Sequence, residues 1–423
     1  MLPRSPGDPF LLGVNYWPRR KAMFWWSNFD AGEVREEFAI IRELGMGWVR
    51  LFLLWEDWQP APDTVNLDAL ASLETVADIA ADLELELDIT FFVGHMSGPN
   101  WAPPWLLRPN GLPAPGVRQV VSRGRAVEGG YANIFADDQA LAAARLLLRT
   151  VVGALHDHSA VGMWNLGNEP DLFAWPPDAP AGRSWVRDMT GIIREIDPRH
   201  PITCGLHTAN LFQDNGLRVH DVFAETDVAV MHGYPMYIDW ARDPLDPDFV
   251  PYLCALTAAL SGKPCLMEEF GGPTQPPGRP SGAWTWTSYG KSRRQFLASE
   301  EDFAAYLEAV LPLLVQAGAL GAMLWCFADY HPELWDRPPC DESWHERHFG
   351  LVRPDGSLKP HAEVIRRFAA TGPRVQQPTR PLHLDLSPDD YYLMPWQHAQ
   401  RLYYQQWLAQ KEQFRSPPAN QSN

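Results

Sequence analysis

Residues 162–173, GMWNLGNEPDLF, carry an amide and a carboxyl where an apolar run gives way to a proline-broken loop. The run reads as the end of a buried strand, and Asn168, Glu169 and Pro170 follow directly. A carboxyl at such a place is partly desolvated, which is unfavourable unless its charge or proton is used. The rest of the sequence must show whether Glu169 is one half of a catalytic pair.

Seven further apolar runs accompany the one at residues 161–166. They lie at 10–16, 48–54, 85–93, 201–206, 228–231, 265–270 and 319–327. Between them lie amphipathic stretches that predict helices at 31–44, 67–81, 137–156, 184–196, 249–261 and 300–317, with the weakest prediction at 210–224. Asp30 and Asp137 are suitable helix N-caps, and Gly45 and Gly318 suitable stops. Near-continuous apolar strands alternating with helices indicate a parallel sheet buried on both faces.

Eight such units fit a closed barrel better than an open doubly wound sheet. No glycine-rich phosphate loop follows the first strand, so a dinucleotide-binding fold is not indicated. We therefore predict an α/β fold, a (β/α)8 TIM barrel with long βα loops, over residues 1–372, with its regular elements between about residues 8 and 372.

The C-terminal part differs from the barrel pattern. Residues 373–390 form a proline-rich linker, and residues 391–423 predict a helical extension with a broad aromatic side and a disordered tail, SPPANQSN. An exposed helix with so many aromatic residues would be prone to association. We expect it to dock onto the barrel or onto a second copy of the chain, which makes a homo-oligomer one outcome.

Composition limits the classes of partner and compartment. The net charge of −17 argues against nucleic acid, and no apolar run reaches the roughly eighteen residues of a membrane span. No signal peptide is recognisable, and the five cysteines show no CxxC spacing. These features predict a cytoplasmic protein with reduced thiols and no membrane partner.

Polar and aromatic residues follow nearly every predicted strand. They are Asn15, Arg50, His95, Asn168, Glu169, His207, His232, Tyr234, Glu268, Glu269 and Trp325. The loops that follow strands are also the long ones, at 94–131, 170–183, 271–295 and 328–349. In a barrel of this kind the reactive groups lie at the carboxyl ends of the strands, so one elaborated face is predicted.

The glutamates after strands 4 and 7 would face each other across the mouth of an eight-stranded ring. A glycosidic bond is cleaved by two carboxyl groups, one a proton donor and the other a nucleophile or a base for water. A separation of about 5 Å between them suits the covalent, retaining mechanism. Two neighbouring carboxyls also raise the pKa of one of them, which keeps an acid protonated near neutral pH.

The chain resembles glycoside hydrolase family 5, in the clan A barrels that include cellulases and mannanases. The matching motifs are WNLGNEP at strand 4, EEFGG at strand 7, HGYP after strand 6, and Arg50 and Trp325. HFGLVRPDGSLKP, residues 348–360, resembles the segment before the last helix of these enzymes. The resemblance covers residues 10–370, and the two glutamate motifs in this order are specific.

The resemblance implies a role for each of these residues. Glu169 is the general acid/base and Glu269 the nucleophile, while Glu268 points elsewhere, as strand alternation also suggests. Asn168 contacts the sugar 2-hydroxyl, and Arg50 and Tyr234 orient Glu269. His95 and His232 bind sugar hydroxyls or tune the carboxyls, and Trp325 forms the floor of the −1 subsite, which holds the glycone. Asn15, at the end of strand 1, is a further candidate for substrate binding.

Tryptophans in the loops are candidate platforms for sugar rings, whose C–H faces suit an indole plane. They are Trp101, Trp105, Trp175, Trp284, Trp286 and Trp335, of which Trp284 and Trp286 are favoured. Glu56 reads as a loop acid that could reach substrate. His345 and His348 lack convincing further ligands, so neither a metal nor another cofactor is predicted.

The predicted function is that of a retaining β-glycoside hydrolase on β-linked mannosyl or glucosyl oligosaccharides, with exo-acting β-mannosidase action favoured. A β-galactosidase, a β-glucosidase or a transglycosylase would use the same carboxyls. Two other classes are a non-catalytic sugar-binding barrel, which the presence of both glutamates disfavours, and a metal-dependent hydrolase, which would need clustered ligands.

Overall fold

Eight parallel strands form the centre of the protein in a computed structural model that describes residues 4–109 and 119–415. They are β1 Leu11–Asn15, β2 Trp48–Leu54, β3 Glu86–Val93, β4 Val161–Asn168, β5 Ile202–Gly205, β6 Ala229–His232, β7 Cys265–Gly271 and β8 Gly321–Trp325. Their order in the sheet is β5-β4-β3-β2-β1-β8-β7-β6, and a parallel bridge between His207 and His232 joins its two ends. The predicted (β/α)8 barrel is confirmed.

One long helix follows each strand. The helices are α1 Ala31–Glu43, α2 Leu67–Asp82, α3 Asp138–Leu155, α4 Ala179–Ile196, α5 Val219–Glu225, α6 Phe249–Ser261, α7 Glu300–Gln316 and α8 Pro360–Ala370. Asp30 caps α1 by accepting from the N–H groups of Gly32 and Glu33, and Asp137 caps α3. The strands are buried almost throughout, as expected for a sheet covered by helices and filled inside by side chains.

The fifth crossover departs from the single helix predicted at residues 210–224. It contains a short helix, Thr208–Phe212, before α5. Gly216 separates the two with a φ of 86°, a left-handed conformation that a continuous helix excludes. The side chain of Asn210 bonds Asn215 Oδ1 and the carbonyl of Leu217, which fixes the turn and leaves Thr208–Phe212 at the mouth of the barrel.

The long βα loops contain their own short elements. Two antiparallel strands, Gly282–Ser288 and Lys291–Leu297, form a hairpin after β7. The loop after β3 contributes strands Asn100–Trp101, Leu107–Arg108, Val120–Ser122, Arg125–Val127 and Gly130–Tyr131. Short helical turns lie at Ala22–Phe24, Trp26–Asn28, Trp55–Trp58, Pro104–Leu106, Pro170–Phe173, Pro235–Tyr237, Pro332–Leu334 and Trp344–His348.

The C-terminal extension, defined here as residues 388–415, packs on the barrel of the same chain. It comprises helices Pro388–Tyr391, Pro395–Gln397 and Gln405–Arg415, with a π-helical stretch, His398–Tyr404, between the last two. Most of the aromatic residues predicted to form one side of it are buried, among them Tyr391, Tyr404 and Trp407, whereas Trp396 is partly exposed. The disorder predicted for residues 416–423 concerns a segment outside the described residues.

Two further observations concern the described residues as a whole. All five cysteines are buried and free of disulfides. None of the helices in the described ranges has the length and apolar character needed to cross a lipid bilayer.

Candidate active site

A cavity of about 640 Å³ opens at the carboxyl ends of the strands. Among the residues predicted for the site, its lining includes His95, Asn168, Glu169, His232, Tyr234, Glu269, Trp286 and Trp325. Arg50 and Asn15 lie beneath this surface, fully buried, and Trp284 lies outside the lining. The elaborated face expected from the long loops is therefore the face that holds the cavity.

The backbone at the end of β4 directs Glu169 into the cavity. Glu169 has a φ of 48°, a left-handed conformation that is uncommon for a residue with a side chain. The N–H of Glu169 donates to the carbonyl of Gly205 on β5, and Pro170 starts a short helix immediately afterwards. Such conformations carry strain and persist where neighbouring structure enforces them, which is common at functional sites.

Glu169 and Glu269 approach each other across the mouth of the barrel. One carboxylate oxygen of each, together with a ring nitrogen of His232, lies within 4.8 Å of the others. His232 is fully buried between them, with Nδ1 3.1 Å from Glu169 Oε1 and 3.6 Å from Glu269 Oε2. The two glutamates thus belong to one site and are linked by a single imidazole.

Arg50 organises the floor below Glu269. Its Nη1 donates to Glu269 Oε2 at 3.1 Å and to Asn15 Oδ1 at 3.1 Å, and its Nη2 donates to Asn168 Oδ1 at 3.1 Å. A Cβ at position 205 would lie only 2.8 Å from Nη2, so Gly205 gives the guanidinium its room. Asn15 therefore contacts the arginine and backbone carbonyls rather than the cavity.

Glu268 does not line the cavity, in line with the expectation that it points elsewhere, but its side chain does not diverge fully from that of Glu269. Glu268 lies 3.4 Å from Arg50 Nη2 and 2.9 Å from His232 Nε2, so both consecutive glutamates contact the same arginine and the same histidine. The pairing of β7 with β6 and β8 shifts register between residues 267 and 270. This irregularity breaks the strict alternation of side chains on which the expectation relied.

Tyr234 completes the surroundings of Glu269, because its hydroxyl donates to Glu269 Oε1. Both carboxylate oxygens of Glu269 are therefore hydrogen-bonded, one by a phenol and one by a guanidinium. Charge-assisted bonds of this kind fix the orientation of a carboxylate as well as its charge.

Burial and the surrounding charges set the proton affinities of the cluster. Burial lowers the pKa of the His232 imidazole, but Glu269, Glu169 and Glu268 outweigh it and raise that pKa to about 9. Burial raises the pKa of Glu169, yet the cations at His207, His232 and His95 bring it below its ordinary value.

The pKa of Glu269 is raised, first by burial and then by the charge of Glu169, against the opposing effects of His232, Arg50 and Tyr234. With the lowered pKa of Glu169, this direction is the reverse of what a resting acid and a resting nucleophile require. At neutral pH His232 therefore holds a proton, whereas Glu169 is ionised.

His95 and His207 stand on either side of Glu169. The Nδ1 of His95 lies 2.8 Å from Asn100 Oδ1, and the backbone carbonyl of His95 accepts from Asn168 Nδ2. The Nε2 of His207 lies 2.9 Å from Asp171, and its Nδ1 is 4.0 Å from Glu169 Oε1. Sequence reasoning left His207 undecided between a structural and a functional residue, and the structure puts it in the cavity lining.

Most of the loop tryptophans lie away from the cavity. Trp286 lines it and packs against Trp344, while Trp284 bonds Gln275 and contacts His348. Trp101, Trp105, Trp175 and Trp335 do not line it either. Several indole N–H groups bond backbone carbonyls of neighbouring loops, such as Trp105 to Gln59, so these rings hold the loops together. Glu56 likewise accepts from the N–H of Arg123 outside the cavity.

Sequence reasoning missed one acid in the segment WHERHF, Glu346, whose side chain is only 12% exposed. It lines the cavity and accepts hydrogen bonds from Trp325 and Ser97. Burial, with the negative charge of Glu269, raises the pKa of Glu346 to about 8. No motif marked this residue, and its position in a long loop after β8 was the available signal.

Aromatic residues on the outer wall were also missed. Phe212, Tyr237 and Trp396 line the cavity, and Trp396 comes from the C-terminal extension. A residue so distant in sequence from the barrel could be placed there only by the tertiary structure.

Among the described residues, Glu169, His232 and Glu269 bring three ligand-type atoms close enough to surround a cation. Two positively charged groups, Arg50 and the imidazolium of His232, already contact these carboxylates. A metal ion would have to displace that positive charge, so the donor set fits proton chemistry better than metal binding.

Comparison with known proteins finds mannanases and mannosidases among the chains similar to this one. No family model matches the chain. The mannan endo-1,4-beta-mannosidase 4 of Oryza sativa subsp. japonica is 26% identical over 153 residues, which are 29% of this chain and 31% of the relative. The chain thus spans about a third of this relative, with 31% of its length matched.

Two solved structures superimpose over most of the chain. The exo-beta-1,4-mannosidase Op5Man5 from Opitutaceae bacterium strain TAV5 has a TM-score of 0.68 and 26% identity, covering 86% of this chain and 60% of the other. A GH5_18 protein from Streptomyces cattleya, in complex with Manβ1-4GlcNAc, has a TM-score of 0.73 and 21% identity, covering 93% and 89%. The GH5_18 structure, at 21% identity, shows the fold, while Op5Man5 and the rice relative support a cellulase/mannanase-like assignment within glycoside hydrolase family 5.

Proposed function

We propose, from the family 5 assignment and the geometry of the cavity, that the protein is a retaining β-glycoside hydrolase. Its substrates would be β-linked mannosyl or glucosyl oligosaccharides. The observation that carries the proposal is the approach of Glu169 and Glu269 to within 4.8 Å in one cavity. A pair about 5 Å apart suits double displacement, whereas an inverting pair leaves room for a water molecule between the carboxyls.

Glu269 is the proposed nucleophile. Arg50 and Tyr234 bond its two oxygens, so it is oriented and its negative charge is supported. The carboxylate attacks the anomeric carbon, the bond to the leaving oxygen breaks, and a glycosyl ester forms on Glu269. Water then attacks the anomeric carbon of this ester, the bond from that carbon to Glu269 breaks, and the sugar leaves with its original anomeric configuration.

Glu169 is the proposed acid and base. It must carry a proton when the leaving oxygen departs, although its pKa in the empty site is lowered, chiefly by His207 and His232 acting against the raising effect of burial. His232 holds a proton at neutral pH and lies 3.1 Å from Glu169 Oε1. We therefore assign to His232 the delivery of that proton to Glu169 when the sugar enters. In the second step Glu169 accepts a proton from the attacking water.

The glycone would lie over Trp325, between the two glutamates. Asn168 is held by Arg50 and by the carbonyl of His95, which positions it for the 2-hydroxyl next to the anomeric carbon. Glu346, bonded to Trp325, lies on the β8 side of the cavity, where it can bond hydroxyls on the far part of the ring. Its protonated carboxyl can both donate and accept there.

Exo action on mannosides is the favoured form of this activity. The hairpin Gly282–Leu297 lines the cavity through Trp286, and the loop that carries Glu346 lines it beside the hairpin. We take these walls to close the glycone end of the cavity, so that it accepts one terminal sugar. The printed name of Op5Man5, an exo-beta-1,4-mannosidase, supports the same choice of sugar and mode.

A panel of 4-nitrophenyl β-glycosides tests the proposal, with β-mannoside, β-glucoside and β-galactoside assayed in parallel. We expect turnover of the β-mannoside, with the β-anomer of the sugar as first product by NMR. Turnover of the β-glucoside or β-galactoside instead would change the sugar assigned to the enzyme but leave the proposed mechanism unchanged. Added alcohol acceptors reveal transglycosylation as a new glycoside.

The matched variant is Glu269→Ala, with Glu333→Ala as control, because the side chain of Glu333 is 83% exposed on a loop. We expect Glu269→Ala to lose at least about 10⁴-fold in kcat. Azide should restore turnover and give the inverted glycosyl azide. Absence of activity on every β-glycoside, or unimpaired hydrolysis by Glu269→Ala, would refute the proposal.

A further inference from the structure

The C-terminal extension forms part of the cavity wall. Trp396, at its second helical turn, lines the cavity together with Phe212, from the short helix after β5. The two rings meet edge to face with centroids 5.8 Å apart, and Trp240 supports both from behind at 6.1 Å and 5.1 Å. Three aromatic rings from separate parts of the chain thus form one cluster.

Two large side chains of this wall remain open to solvent. Trp396 is 42% exposed and Tyr237, also in the lining, is 45% exposed. Exposed aromatic surface in a cavity that also holds charged and polar groups is a feature of binding sites. The apolar C–H face of a pyranose is a suitable partner for such rings.

The position of Trp396 is fixed by hydrogen bonds between the extension and the short helix. Tyr391 donates to the carbonyl of Leu211 at 2.7 Å, and Tyr392 donates to the carbonyl of Asn210 at 2.7 Å. Tyr392 also accepts from the N–H of Val219 at 2.9 Å. The extension is therefore hydrogen-bonded to the same backbone segment that carries Phe212, and this fixes Trp396 and Phe212 relative to each other.

This wall lies on the side of Glu169. His207, which approaches Glu169, directly precedes the short helix that carries Phe212. The opposite side, with Trp325 and Glu346, surrounds the proposed glycone. A proton donor stands next to the oxygen that leaves, so the wall beyond Glu169 faces the leaving group.

We propose that Trp396, with Phe212 and Tyr237, forms a binding site for the leaving-group sugar, a neutral pyranose that stacks its C–H face on Trp396. The proposal rests on the proposed function above. It makes the C-terminal extension a part of the substrate site, although the extension supplies no group to the reaction itself.

The test compares two substrates that share a glycone. β-1,4-Mannobiose places a pyranose on the wall, whereas β-mannosyl fluoride has a leaving group too small to reach it and needs no proton from an acid. For Trp396→Ala, the ratio of kcat/KM for mannobiose to that for the fluoride should fall about tenfold relative to the wild type. Leu393→Ala is the matched control, since Leu393 belongs to the same extension, is 76% exposed and does not line the cavity.

An unchanged ratio in Trp396→Ala would overturn the inference. If kcat/KM falls equally with both substrates, the ratio is unchanged and Trp396 has a merely structural role. Phe212→Leu provides a second variant if Trp396→Ala fails to fold, and it should lower the same ratio. A wild-type protein that turns over neither substrate would refute the proposed function instead, so the two failures are distinguishable.

Discussion

His232 lies with Nδ1 3.1 Å from Oε1 of Glu169, and this imidazole is the nearest protonated group to the proposed acid. His232→Gln removes the proton source but leaves an amide that can still bond a carboxylate. We expect kcat/KM to fall about 10²-fold for alkyl β-glycosides, whose leaving groups need a proton, and far less for a glycosyl fluoride.

The pH profile gives a second readout for His232. Its pKa is raised to about 9, so it holds its proton below that pH and loses it above. Activity on alkyl glycosides should therefore decline through about pH 9 in the wild type, and this limb should be absent from His232→Gln. An equal loss with the fluoride, or an unchanged alkaline limb, would assign His232 a structural role.

Glu169→Ala separates the acid from the nucleophile. Because Glu269 is intact, this variant should still form the glycosyl ester from a substrate with an activated leaving group. Azide should then attack the ester and give the β-glycosyl azide, the anomer opposite to that expected from Glu269→Ala. NMR of the product decides the assignment, and the inverted azide from Glu169→Ala would contradict it.

Arg50 neutralises two buried glutamates at once, so its removal should destabilise the barrel. Arg50→Met leaves Glu268 and Glu269 without their cation, and we expect the free energy of unfolding to fall by about 3–5 kcal/mol. Arg35→Met removes an exposed pair with Asp82 and should cost under about 1 kcal/mol. Urea unfolding measures the free energy of unfolding of both variants. Equal losses would contradict the view that Arg50 stabilises the two buried glutamates.

Glu346 should make stability depend on pH. Its pKa is raised from 4.5 to about 8, chiefly by burial, so the folded protein holds a proton that the unfolded chain releases. The unfolding free energy of the wild type should therefore decrease between about pH 5 and pH 8. Glu346→Gln lacks this group, and its stability relative to the wild type should rise over that interval by about 2–4 kcal/mol. A flat difference between the two proteins would show that Glu346 is ionised throughout.

Tyr392 tests the attachment of the C-terminal extension. Tyr392→Phe leaves the carbonyl of Asn210 and the N–H of Val219 without this partner, which should cost about 1–3 kcal/mol of unfolding free energy. The loosened wall should also reduce kcat/KM for mannobiose more than for mannosyl fluoride. A loss of stability without that selective effect would separate the anchor from the substrate wall.

The sequence predicted the barrel because its signals are local. Each strand is a short apolar run, and the bounds of β2 agree with the predicted ones. The Asn-Glu-Pro and Glu-Phe-Gly motifs likewise identified the two glutamates that meet in the cavity. Motifs of this kind are readable because neighbouring residues determine where a strand ends.

Features that depend on contacts between distant segments were not predictable. The register shift in β7 turns Glu268 onto Arg50, and period-two alternation alone gave the opposite expectation. Trp284 and Trp286 lie two residues apart and so share one face of the hairpin, yet of these two only Trp286 lines the cavity. Which end of that face reaches the cavity depends on how the hairpin packs on the barrel. Trp396 could be connected with the site only through the hydrogen bonds that dock the extension.

The extension follows the entire barrel along the chain, so it leaves the ribosome after every strand has already emerged. Domains generally fold in the order in which they are synthesised. A newly made barrel would therefore possess its pair of glutamates before Trp396 emerges, and the proposed site for the leaving-group sugar would form later than that pair.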